Sequence, residues 1–149
     1  AIVRAYSDAE AADRPITDPD ALLIVGQAGV ENATWNNRPG QFRFVLNEVY
    51  KDALKHDPDC WEAEYHAGRL LLEKDNRAQA LEAFDAALKI NPRAADVLAG
   101  KGQVAFATFD LKDADRLADQ ALKVNPRHPA ALRLKADIFL AGGDFATAR

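Results

Sequence analysis

The chain has 149 residues, of which 48% are hydrophobic and 28% charged, the balance of one folded domain and not of a disordered chain. Its formal charge of −4 lacks the net basic face that displaces counterions from phosphates, so nucleic acid is not an expected partner. No apolar run approaches the ~20 residues that span a bilayer, which argues against direct membrane insertion, and the lone Cys60 excludes an internal disulfide framework.

The first predicted element is an N-terminal helix or cap over residues 1–17, where Ile2, Val3 and Tyr6 accompany a run of alanines. Residues 18–60 follow as a degenerate, elongated helix pair. Asp18 is placed to cap a first helix, Pro19 lies in its first turn, and "PDALLIVGQA" continues it. A partner helix is expected from about Gln41 to His56. Eight more residues separate Gly26 from Ala53 than separate Gly68 from Ala87, and "ENATWNNRPG" at 31–40 is where they fit. They are read there as an extension of the first helix by a turn or two, then a Pro-Gly turn.

From Ala53 onward one phrase recurs: "ALKHDPDC", "ALKINPRA" and "ALKVNPRH" begin at Ala53, Ala87 and Ala121, a spacing of 34 residues. Such a period is the signature of a stacked repeat architecture. It divides the rest of the chain into units at 61–94, 95–128 and a truncated 129–149. Each holds two helical stretches with small and apolar residues three and four apart. Asn76, Asp110 and Asp144 share one repeat position, that of an N-cap for the second helix. Asp57, Asn91 and Asn125, each followed by proline, mark where that helix stops and the next unit begins.

With this register the chain resembles the tetratricopeptide repeat (TPR) family. That family favours small or apolar residues and a late proline at places held in the first full unit by Ala67, Gly68, Leu71, Ala80, Phe84, Ala87 and Pro92. The resemblance implies an all-α fold, a right-handed α-solenoid of antiparallel helix pairs, with at least seven helices in succession and no strand. There are departures. Glu64 stands where a large apolar residue is common, with Trp61 one turn earlier to fill the space. Lys101 and Lys135 replace a small or apolar residue, which suggests a looser contact between paired helices there.

The family also implies that first helices line a concave ligand surface. In this register it carries Glu62, Tyr65, Arg69 and Leu72, then Gln103 and Phe106, then Arg133 and Asp137, with Gln27 continuing the row. Arginines and glutamine would hold a backbone or carboxylate while side chains rest on the apolar members. The family's chaperone-binding carboxylate clamp is absent, its places being taken by Tyr65, Arg69, Gly100, Ala130 and Leu134.

No catalytic constellation, cofactor motif or metal site is expected. His56, Cys60 and His66 are the nearest approach to a cluster and have no fourth ligand. Asn32-Ala33-Thr34 matches a glycosylation pattern too common to carry weight. The expected function is therefore a protein-protein interaction module, not an enzyme, that binds a peptide or partner domain. The alternative is a substrate-recruiting or regulatory segment of a larger enzyme whose catalytic domain lies outside this chain. The chain reads as a piece of a longer bacterial protein of the cytoplasm or periplasm. Core-type residues at Ala136 and Phe139, without the helix that would cover them, predict either self-association through the C-terminal end or disorder of the last turns.

Overall fold

The computed structural model describes Arg4, Tyr6, Asp8 and residues 15–142. Most of the expected N-terminal helix, the Asp144 cap and Phe145 lie outside these residues. Helix α1 spans Pro19–Trp35, and α2 spans Pro39–Phe44. A π-helical turn at Val45–Val49 leads directly into α3, Tyr50–His56. The regular array follows as α4 (Trp61–Glu73), α5 (Arg77–Ile90), α6 (Ala95–Ala107), α7 (Leu111–Val124) and α8 (Pro129–Ala141). Among the described residues there is no strand, and no helix is long and apolar enough to cross a membrane. The architecture is an all-α solenoid in which α4 packs on α5 and α6 on α7, while α5 and α7 carry the contact forward to α6 and α8.

The boundaries follow from local hydrogen bonding. Asn76 and Asp110 accept the backbone amides of Gln79 and Asp113 at 3.4 and 3.0 Å, satisfying donors that the first helical turn leaves free. The repeated stop is built as an Asx turn. The side chains of Asp57, Asn91 and Asn125 accept the amides of Asp59, Arg93 and Arg127 at 3.0 to 3.2 Å, and proline sits between each pair. Thus the acceptor and the proline act together, one turning the chain and the other denying it an amide.

First helices end in a shared motif that periodicity does not reveal. Asp75 and Phe109 adopt φ of 58° and 62°, and the next residues, Asn76 and Asp110, donate to the carbonyls of Leu71 and Ala105 at 2.9 Å. These are Schellman caps, which close a helix with one left-handed residue. Asn37, at φ 49°, ends α1 in the same way, with Arg38 donating to Ala33 at 2.9 Å.

The eight extra residues divide between both helices of the first pair. Helix α1 has 17 residues where α4 has 13, and the run Pro39–His56 is four longer than α5. The expected Pro-Gly turn is therefore corrected. Asn36–Arg38 make the turn, and Pro39 opens α2, where its missing amide costs nothing.

Glycines set the packing distance. A Cβ on Gly68 would meet Phe84 Cε1 at 2.6 Å, and one on Gly100 would meet Phe84 Cζ at 2.8 Å, so the fully buried Phe84 ring is held between α4 and α6. Gly26 faces the Tyr50 ring in the same manner. Both lysines bridge to the preceding unit. Lys101 reaches Asp85 of α5 at 2.5 Å, and Lys135 reaches Asp115 and Asp119 of α7 at 2.6 and 2.9 Å. Each links its unit to the one before, because the aliphatic stem spans the helix contact and the ammonium emerges beside carboxylates.

Candidate functional site

Successive first helices lie side by side, and α4, α6 and α8 enclose a groove of about 540 Å³. Five of the nine residues expected on the concave face line it: Arg69 from α4, Gln103 and Phe106 from α6, and Arg133 and Asp137 from α8. The helical repeat accounts for this convergence, since residues three or four apart fall on one face and the units present that face in register.

Arg69 is exposed but not loose. Its guanidinium donates to the Tyr65 hydroxyl at 3.3 Å and to Glu73 Oε1 at 3.4 Å. The Tyr65 hydrogen bond is the main cause that raises its pKa, so it is a fixed cation. Arg133 is 84% exposed along its side chain and only 3.9 Å from Asp137, a distance at which it remains available to another anion. The half-buried Phe106 ring packs on the α6–α8 core while bordering the groove. Two guanidiniums, an amide and an aromatic edge thus face one opening, with a single carboxylate, Asp137, among them.

Tyr65, Leu72 and Glu62 line neither this groove nor its neighbour. The Tyr65 ring lies among Trp61, His66 and Phe84, with centroids 6.3, 5.2 and 6.4 Å away, and acts on the groove through its bond to Arg69. Leu72 is half-buried against the cluster around Phe84. Glu62 is half-buried in the first turn of α4. Gln27 lines a second, smaller concavity of about 230 Å³ between α1 and α4, and Arg69 borders both.

Two histidines matter in ways the sequence reading missed. His128 is 5% exposed; its Nδ1 accepts the Ala131 amide at 3.2 Å and its Nε2 pairs with Asp96 Oδ1 at 2.9 Å. Because Nδ1 accepts, Nε2 carries the proton and donates to Asp96, tying α8 to α6 and setting the groove's far wall. His66 is in mid-helix, neither at a helix end nor on a purely polar face. Its ring stacks on Tyr50 with centroids 6.1 Å apart, and its Nε2 lies 2.9 Å from Gln27 Nε2. Burial, then the Arg69 charge, lowers its pKa, while Asp96 acts in the opposite direction. Neutral His66 therefore accepts from the Gln27 amide. The sequence signal for both was slight: a histidine before Pro129, and one among apolar neighbours on α4. Cys60 is buried, and its thiol is pushed up chiefly by that burial, so it behaves as a core residue.

The tetratricopeptide repeat profile matches residues 47–94, 65–114 and 100–149, about two-thirds of the chain, and the chain belongs to the tetratricopeptide repeat family. No curated protein matches it in sequence. Among solved structures it is similar to MamA, at 20% identity over 95% of this chain and 77% of that one, with a TM-score of 0.71. It is also similar to YrrB, described as a TPR protein with an unusual peptide-binding site, at 21% identity over 85% of this chain and 61% of that one, TM-score 0.66. The first TPR of Spaghetti (RPAP3), bound to the HSP90 peptide SRMEEVD, matches at 17% identity over 85% of this chain and 98% of that one, TM-score 0.69. At these identities the likeness is one of fold.

Proposed function

We propose that this chain is a protein-interaction module that holds a peptide or partner segment in the groove across α4, α6 and α8. One observation carries the reading: side chains from three separate repeats, Arg69, Gln103, Phe106 and Arg133, border a single opening. Convergence of donors around an apolar edge suits an extended segment, whose carbonyls and carboxylates accept hydrogen bonds while a side chain rests on Phe106. The fold-level likeness to YrrB and to the peptide-bound RPAP3 repeat supports the same reading by analogy.

The test begins with peptides selected from a random displayed library against the wild-type chain. Arg69→Ala and Arg133→Ala should each weaken binding of the selected peptides by ~1 to 3 kcal/mol, with the melting temperature nearly unchanged. Equal binding by both variants would move the site to another face.

A further inference from the structure

The smaller concavity between α1 and α4 is a built site whose polar groups are not used up by the fold. Tyr50 lines it and is 3% exposed, yet its hydroxyl makes no hydrogen bond among the described residues. The ring packs against Gly26 on one side and the stacked His66 on another. Burial, then the Glu73 charge, holds the phenol far above its ordinary pKa, so it remains a neutral hydroxyl able to donate or accept. With Gln27 Nε2 committed to His66, the Gln27 carbonyl oxygen is a free acceptor. The Glu31 and Glu73 carboxylates also border the cavity, against one cation, Arg69, which Tyr65 and Glu73 already engage. Val30 and Leu70 supply apolar wall.

We infer that this cavity takes a basic side chain, lysine or arginine, from the partner segment that occupies the adjoining groove. Acceptors outnumber donors, the local charge is negative, and the walls suit an aliphatic stem ending in a cation. The larger groove has the opposite bias, with Arg69 and Arg133 against Asp137. Since Arg69 borders both, the two together select a segment in which a basic residue precedes or follows an acidic one at short range, and they reject a segment of uniform charge. This inference rests on the concave face being the ligand face, and its test is arranged to fail separately.

The probes are N-acetyl-lysine methylamide, its arginine and glutamate counterparts, and the uncharged isostere N-acetylnorleucine methylamide, each titrated into the isotopically labelled 149-residue chain. Saturable shifts are expected at the amides of Gln27, His66 and Glu73 with the lysine or arginine probe, whichever binds more tightly naming the partner residue. Norleucine should bind about tenfold more weakly or worse, as expected when a charge-assisted hydrogen bond is lost. Tyr50→Phe, which keeps the ring over Gly26, should weaken the basic probe by about three- to tenfold, and Glu31→Gln should weaken it as well. Arg133→Ala should leave it unaffected, so that loss of peptide binding in the groove and loss of this subsite are told apart. Equal binding of norleucine, preference for glutamate, shifts centred on Gln103 and Arg133, or indifference to Tyr50→Phe and Glu31→Gln would each overturn the inference.

Discussion

The first helix pair and the pair α4–α5 solve one packing problem with different lengths of chain. In α4–α5, sixteen residues separate Gly68 from the Phe84 ring that rests on it. In the first pair twenty-four separate Gly26 from Tyr50, yet the ring-on-glycine contact is the same. The insertion is taken up as about one turn in each helix, with a Schellman cap ending both first helices and a π-helical turn in the longer second one. What is preserved is the close approach, and what changes is its chemistry. Phe84 is clasped by glycines from two units and buries completely, whereas Tyr50 meets one glycine and borders a cavity. The regular pair spends its aromatic ring on cohesion; the irregular pair keeps a hydroxyl on a cavity wall.

The sharpest way to test that contrast is to remove the clasped ring. Phe84→Ala leaves a void facing α4 and α6 at once, and large-to-small changes of this kind cost ~3 to 5 kcal/mol. Against a typical domain stability of ~5 to 15 kcal/mol, this variant should show a strongly lowered urea midpoint. A loss below ~1 kcal/mol would mean that the array collapses into the space, contrary to a core packed near the density of a crystal.

A smaller change probes the glycines. In Gly68→Ala the new methyl would lie 2.6 Å from a ring that is 0% exposed and also packed against Gly100, which leaves it little room to retreat. Overpacking costs ~1 to 3 kcal/mol, from which ~1 kcal/mol of improved helix propensity is recovered. Gly26→Ala brings its methyl even closer to the Tyr50 ring, but that ring has cavity beside it into which it can shift. Denaturation should therefore place Gly68→Ala below Gly26→Ala in stability. The reverse order would break the distinction between the clasped and the bordered ring.

These differences also explain what was legible in the sequence. The 34-residue register marks Asn76 and Asp110 as caps and the Asp/Asn-Pro steps as stops, because both depend on a short polar side chain and its nearest amides. The all-helical solenoid follows from the same local signals, and the register brings Arg69, Gln103, Phe106, Arg133 and Asp137 to one groove. Contacts between successive units were not anticipated. Lys101 and Lys135 were read only for the contact between paired helices, whereas their partners, Asp85, Asp115 and Asp119, belong to the preceding unit. Tyr50, His66 and Gln27 come from three helices, one of them reached through a π-helical turn that no period announces. Placing them together requires knowing how four extra residues are absorbed in each helix.

The smallest expected effect concerns pH and again separates the two regions. His66 links the irregular pair to the array through Gln27 and Tyr50, and it faces Glu31 from α1, Tyr50 from α3, Tyr65, Arg69 and Glu73 from α4, and Asp96 from α6. Burial, then Arg69, lowers its pKa in the folded state, so between the folded value and the ordinary 6.5 the unfolded chain binds more protons. Stability from this group is fully present above pH ~6.5 and is lost as pH falls toward the folded value. Protonation also removes the acceptor that Gln27 uses, so the loss should appear first as looser attachment of α1. Urea midpoints and hydrogen exchange at pH 8 and pH 5.5 test this by comparing the wild-type chain with His66→Phe, which keeps a ring on Tyr50 and cannot titrate. The wild type should lose more stability on acidification, with the added exchange concentrated in Leu22–Val30 and not in α6 or α7. If the two proteins respond alike, His66 does not couple protonation to the junction between the irregular pair and the array.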